Sequence, residues 1–344
     1  MLSPRSETIL KSIVGQYIAR AVPVPSQSII NDYELAVSPA TIRNEMAHLE
    51  QEGYITRPHP SAGSMPSDKG YRFYVETLSD IELPLAEQFL ISHLFHQVEK
   101  DLEEWLSLAA TLTAQLVQNV AIVAMPKTAN CQFKHLELVA LKDSLALVVL
   151  VLRGARLKQQ LITFDQAVSQ SELTRIANKL NKAYSSLSRT KISAKKIKLS
   201  SAEKQLTDCL LKIMQAEDEH EFEQSRLDGL HFTLNQPEFR QGKGVLALME
   251  LVDCGNLLKS VAPEGLGGEG VQVIIGKENK AEAIQDCSVV ISQYGLPEEA
   301  VGIMSVVGPT RMPYARTIST VGYLSSVLNR LVTELYGRKP ATDK

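Results

Sequence analysis

From Val37 to Gly63 the chain reads VSPATIRNEMAHLEQEGYITRPHPSAG, and its apolar positions Ile42, Met46 and Leu49 fall four and three apart, which places them on one face of a helix. Ser38 supplies an N-cap oxygen, Pro39 sits in the first turn where its missing N–H costs nothing, and Gly53 supplies a stop. Ala40, Thr41, Arg43, Asn44 and His48 occupy the other face, which is small and polar. Upstream, Ile9, Ile13, Tyr17 and Ile18 keep helical spacing, and Ser26 caps a short helix around Gln27 to Asp32. Downstream, Tyr54 to Arg57 reads as a strand; Pro58, Pro60 and Pro66 then prevent a helix, and Gly63 permits a tight reversal.

Further along, Ile81 to Pro84 reads as a hinge. Leu85 to Gln118 contains no Gly or Pro and carries Phe89, Leu90, Leu94, Leu102, Trp105, Leu106, Leu112 and Leu116 at helical spacing, predicting one long helix or two abutting ones. The runs VAIVAMP, FKHLELVAL, SLALVVLVLRG and RLKQQLITF predict an antiparallel meander with turns at Lys142 to Ser144 and at Gly154. Two helical stripes follow, Leu173, Ile176, Leu180, Tyr184 and Leu187, then Leu206, Leu210, Ile213 and Met214, separated by the basic stretch RTKISAKKIKL. Each stripe is narrow, so the pair packs on the body or on the same pair in another chain. VQVIIG, CSVVISQY and GIMSVVG restore strand character, and a helix from Ile318 to Tyr336 closes the chain. The pattern predicts an α+β domain interrupted by a helical pair.

Composition narrows the class. At 344 residues with 44% hydrophobic content, the chain has room for two or three globular domains. Its longest apolar run, Leu145 to Leu152, suits a buried strand and is far too short to span a membrane. The start MLSPRSETIL lacks the basic and apolar regions of a signal peptide, predicting a cytoplasmic location. Cys131, Cys209, Cys254 and Cys287 are widely separated and read as reduced, packed thiols.

Candidate chemistry adds little that is catalytic. GLGGEG, through Gly265, Gly267 and Gly270, follows an apparent helix and precedes a strand, the reverse of the order a dinucleotide site requires. His93 and His96 lie one turn apart near Glu99 without a second ligand pair, so no metal site is predicted. The lysine-rich stretch lacks interleaved aromatic residues and reads as a solvated loop. In GPTRMPYAR, Arg311 and Arg316 either hold a small acidic ligand at a helix N-terminus or pair with carboxylates within the chain or across an interface. Neither a nucleophile nor an acid/base constellation is present, so an enzyme is not expected, and no cofactor is.

The N-terminal order is more informative. A helix, a short helix, a brief turn and a capped helix make a helix-turn-helix, whose second helix enters the major groove N-terminus first. Small residues at Ser38, Ala40 and Thr41 permit close entry, and Arg43 and Asn44, with His48, become base or phosphate readers. The segment PHPSAGSMPS reads as the tip of a wing, with Arg57, His59, Ser61 and Lys69 as donors along the backbone or minor groove of double-stranded DNA. Residues 1 to 80 carry slightly more acidic than basic side chains. Random DNA should therefore be bound weakly, which favours a sequence-specific dimer over an architectural protein.

PVPS, VSPATIRNEMAHLEQEGYITRPHPSAG and KGYRFYV, followed by VQVIIGKEN and GIMSVVGPTRMPYAR, resemble the signature of the HrcA family of heat-inducible transcription repressors. The resemblance implies a winged helix-turn-helix domain over residues 1–80, a discontinuous GAF-like domain over 85–165 and 225–340, and an inserted dimerising domain over 166–224. It implies a homodimer that represses chaperone operons through an inverted-repeat operator of the CIRCE type and is modulated by the chaperonin GroEL. Family members usually carry Gly where Pro25 stands and Arg where Ser64 stands, the second substitution removing a phosphate contact from the wing. The alternative is a winged-helix regulator controlled by a small effector in the GAF-like domain.

Overall fold

The computed structural model describes residues 2–32, 38–59, 62–79, 81–98, 101–126, 131–153, 157–219, 225–239, 270–296 and 300–335; Ser38 caps its helix as expected, whereas Ser26 is the first residue of the short helix and not its cap. Helix α1, Pro4–Arg20, begins where the Ser3 hydroxyl accepts from the Ser6 N–H at 3.1 Å. Helix α2, Ser26–Asp32, precedes α3, Pro39–Gln51, which starts where Ser38 Oγ accepts from the Thr41 N–H at 3.2 Å. The chain leaves α3 through Gly53, at φ +78°, while the Tyr54 N–H donates back to the Leu49 carbonyl at 2.9 Å. Ile42, Met46 and Leu49 are buried with Ile9, Leu10 and Ile13 of α1, as the spacing requires. Strand β1, Ile55–Thr56, pairs antiparallel with β2, Met65–Pro66, and α4, Asp68–Glu76, follows.

The segment read as one or two helices is two, α5, Leu85–Gln97, and α6, Leu102–Val117. Then come β3, Val120–Ala124; β4, Phe133–Lys142; β5, Leu145–Leu152; β6, Leu157–Thr163; α7, Gln170–Tyr184; α8, Arg189–Ala194; and α9, Ser201–Glu219. Strand β7, Ser225–Asp228, and α10, Leu230–Leu234, precede β8, Val271–Ile275, β9, Cys287–Leu296, and β10, Ala300–Pro309, and the last helix, α11, runs Tyr314–Leu335. The fold is α+β. Among the described residues no helix is long and apolar enough to cross a membrane.

Two compact units result. The first comprises Met1–Met125, Gln224–Tyr294 and Gly302–Leu331; the second comprises Pro126–Glu223, Gly295–Val301 and Val332–Lys344. In the first, a five-stranded sheet has the order β7-β3-β10-β9-β8. One apolar cluster runs without a break from Ile13, Ile42 and Leu49 to Val290, Val306, Tyr314 and Val321, so the three N-terminal helices and the sheet share a core. In the second, β4, β5 and β6 form a three-stranded antiparallel sheet. On β5, Ala146, Val148, Leu150 and Leu152 are buried, and they join Leu173, Ile176, Leu180, Leu206, Leu210 and Met214 of α7 and α9 in a second core.

Three sequence expectations change. The predicted meander is divided, because VAIVA enters the five-stranded sheet as β3 while the other three strands pair with one another. Of the two partners open to the helical stripes, the body or another chain, they pack on that three-stranded sheet of the body, so the meander read with residues 85–165 lies in the same compact unit as 166–223. The basic stretch is no simple loop: it forms α8, with Ile192 buried and Ile197 and Leu199 against the core. GLGGEG apart from Gly270, Cys254 and the turn at Gly154 lie outside the described residues.

Candidate nucleic-acid interface

The outer face of α3 is presented to solvent. Ser38, Ala40, Arg43, Asn44 and His48 are exposed, and Thr41 is half-buried with its hydroxyl 3.0 Å from that of Ser38. Among the described residues no ion pair or side-chain hydrogen bond engages Arg43 or Asn44. Burial of the opposite face holds this surface in place. Glu45, at the border, accepts from the Ser6 hydroxyl at 2.7 Å and lies 3.7 Å from Arg5, tying α3 to the start of α1.

The ribbon behaves differently from its sequence reading. Arg57 is drawn back onto its own chain, with Nε 3.3 Å from the Glu50 carboxylate and 3.4 Å from Ser64 Oγ. Lys69 donates to the Glu52 carbonyl at 2.7 Å, with its ammonium 4.1 Å from the Tyr54 ring centroid, so it caps the end of α3. His59 is exposed; Ser61 lies outside the described residues. Ser64, expected at the wing surface, is fully buried, because its N–H and C=O exchange 2.8 Å hydrogen bonds with Val24. A Cβ on Gly63 would stand 2.5 Å from the Val24 carbonyl carbon, so glycine is what lets the ribbon reach this close to PVPS.

Sequence reasoning gave no role to Arg72 in KGYRFYV or to Glu278 in VQVIIGKEN, yet these residues meet. Arg72 of α4 grips the Glu278 carboxylate through Nε, at 2.9 Å, and Nη2, and Nη2 also donates to the Val273 carbonyl at 2.7 Å. The Glu278 carboxylate holds the Arg72 guanidinium above even its ordinary high value. Asp68 accepts from the Lys277 N–H at 3.1 Å. The pairing is not visible in either string.

The two arginines of GPTRMPYAR are also taken up within the chain. Arg311 pairs with Glu238 and reaches Gln236 Oε1 and the Ile18 carbonyl, each at 3.3 Å, and Arg316 pairs with Glu87 at 2.6 Å. An open cleft of about 600 Å³ beside Arg311 is lined by Ile18, Leu116, Phe232 and Gln236 among others. An acidic ligand there would have to displace Glu238. His93 and His96 contact Gln97 and the Ser92 carbonyl of their own helix.

Comparison with known proteins agrees with the sequence motifs. Residues 103–318 match the family described as HrcA protein C terminal domain. The chain is 54% identical over 340 residues to a heat-inducible transcription repressor HrcA of Dehalococcoides mccartyi, covering 99% of each, and 40% identical over 347 residues to that of Herpetosiphon aurantiacus, covering 98% and 97%. A solved structure described as a hypothetical protein at 2.2 Å is similar in fold, with a TM-score of 0.61 at 24% identity over 97% of this chain and 98% of that one.

Proposed function

This chain belongs to the HrcA family of heat-inducible transcription repressors, and from that premise we propose that it recognises an inverted-repeat operator of chaperone genes through the outer face of α3, as a homodimer. It is a regulator and not an enzyme. The observation that carries the reading is the exposed outer face of α3, where Arg43 and Asn44, without a side-chain partner among the described residues, stand beside small residues at an N-capped end. In this reading residues 1–80 are a winged helix. Arg43 and Asn44 read base edges, His48 and His59 face the duplex with Ser61, and Arg57 and Lys69 hold the ribbon and the helix end in shape.

The five-stranded sheet and its helices form the GAF-like body, and residues 126–223 form the dimerising insertion. Supporting this, Val139, Leu147 and Leu161 lie opposite one another on the face of the three-stranded sheet away from its core, with Val139 and Leu161 41% and 57% exposed. A second copy covering that face would bring two heads together in one molecule. Modulation by the chaperonin GroEL in the cytoplasm completes the proposal; it needs apolar surface that becomes available when the dimer loosens. A footprint on the promoter of a chaperonin operon tests it. Protection should cover two symmetric half-sites, and Asn44→Ala should weaken both.

A further inference from the structure

We propose that Arg72 is a positioning residue for operator recognition. By docking α4 on the Glu278 turn it fixes the direction of the α3 face, so the repressor reads the spacing of its half-sites as well as their sequence. This rests on the operator reading above. Between the end of α4 at Glu76 and the start of α5 at Leu85, residues 77–84 connect the helical head to the body. A free tether of that length would let each head wander by roughly 15 Å. Five extra base pairs displace a half-site by about 17 Å and turn it to the opposite side of the duplex. Tethered heads would follow much of that displacement; heads docked on their own bodies lose that freedom and follow less of it.

The dock is built for direction rather than for burial alone. The two-pronged Arg72–Glu278 pair has one allowed orientation, which an ammonium would not impose. Glu278 is itself held, since its Oε2 accepts from the Ile275 N–H at 2.8 Å. Beside it Gly276 adopts φ +54°, and a Cβ there would lie 2.4 Å from Asp68 Oδ1, so the body turn and α4 approach as closely as glycine permits. A third contact, from Arg311 to the carbonyl of Ile18, holds the end of α1. These contacts surround the shared core and restrict rotation of the head about it.

The test compares wild type, Arg72→Ala and, as an independent lesion from the body side, Gly276→Ala. Each is titrated against duplexes carrying one half-site, two half-sites at native spacing, and two half-sites with five base pairs inserted. Wild type should lose roughly a hundredfold in affinity on insertion, the scale of a lost second engagement. Both variants should lose roughly tenfold or less, with affinity for a single half-site changed by less than about threefold. If both variants keep the wild-type spacing penalty, or if wild type shows none, the positioning role is overturned. If wild type fails to distinguish the repeat from scrambled DNA, the operator reading itself has failed, a result separate from the others.

Discussion

The ring of Tyr71 on α4 lies 5.9 Å from the ring of Tyr314 at the start of α11, and among the described residues only the Tyr314 hydroxyl of this buried pair finds a partner. Tyr314 Oη is 2.8 Å from Ser288 Oγ and donates to the Thr310 carbonyl at 2.5 Å, whereas Tyr71 Oη has no partner among the described residues. Burial pushes both hydroxyls well above the ordinary tyrosine value, so neither ionises near neutrality. Tyr71→Phe should therefore be neutral or raise stability by up to about 1 kcal/mol, while Tyr314→Phe should lower it by about 1 to 1.5 kcal/mol. Denaturant midpoints decide; the opposite order would contradict the assignment of these hydroxyls.

On α3, Asn44→Ala should cost about 1 to 3 kcal/mol of operator binding and relax preference at one position per half-site. Ser38→Ala acts differently, by removing the cap at 3.2 Å from the Thr41 N–H. It should lower stability by about 1 kcal/mol and weaken binding to all sequences alike. Competition against single-base operator variants separates the two. An Asn44 variant with unchanged selectivity would remove that residue from base reading.

In the second unit, Lys179 Nζ lies 2.7 Å from the buried carboxylate of Glu203. Burial raises the pKa of Glu203, but the hydrogen bonds from Lys179 and the Ser200 N–H outweigh it, and the net shift is downward from 4.5. A depressed carboxylate contributes stability that is present above its unfolded value and is lost as pH falls below it, so the pair should weaken as pH drops below about 4.5. Lys179→Met removes the ion pair and leaves the Glu203 carboxylate with the Ser200 N–H at 2.8 Å. It should cost about 1 to 2 kcal/mol at pH 7, with a smaller difference from wild type near pH 4. A difference that grows on acidification would reverse the assigned sign.

Thiol chemistry gives a simpler check. Cys131, Cys209 and Cys287 are buried thiols that form no disulfide with one another, and burial pushes the Cys287 thiol up to about 12 and raises that of Cys209. Native protein should leave these three unlabelled by iodoacetamide at pH 8 and expose them in denaturant. Rapid native alkylation of Cys287, found by peptide mapping, would contradict the packing of β9.

Local signals were well written in the sequence because they act over a few residues. Ser38, Pro39 and Gly53 bound α3 to within two residues of the expected span, and the apolar stripes of α1, α3, α7 and α9 are buried in the cores or packed, partly buried, against them. What the pattern could not give is pairing across distance. VAIVA is buried at every position and LALVV alternates, yet both are apolar runs, and composition does not say which sheet a buried strand joins. Ser64 reads as a loop residue until Val24, forty positions earlier, closes over it. Arg72 and Glu278, 206 residues apart, each look like solvated charges until the fold brings them together.

Thermal control follows from the way the molecule is joined. Because the N-terminal helices share their core with the sheet, heat should act first on the dimer and not on the isolated head. Operator binding should fall on mild heating before near-ultraviolet signals of the head change, and GroEL with ATP should raise the active fraction. Coincident loss of binding and structure, with no chaperonin effect, would leave a small effector as the better account of regulation.

The most direct test of the central claim is a fluorescence anisotropy titration of the purified protein, at physiological salt, with the inverted repeat from a chaperonin-operon promoter. It is compared with the same duplex carrying one half-site scrambled and with both scrambled. The account predicts binding at least about a thousandfold tighter to the intact repeat than to the fully scrambled duplex, with most of the affinity lost when either half is scrambled. Equal affinity for all three duplexes would contradict it.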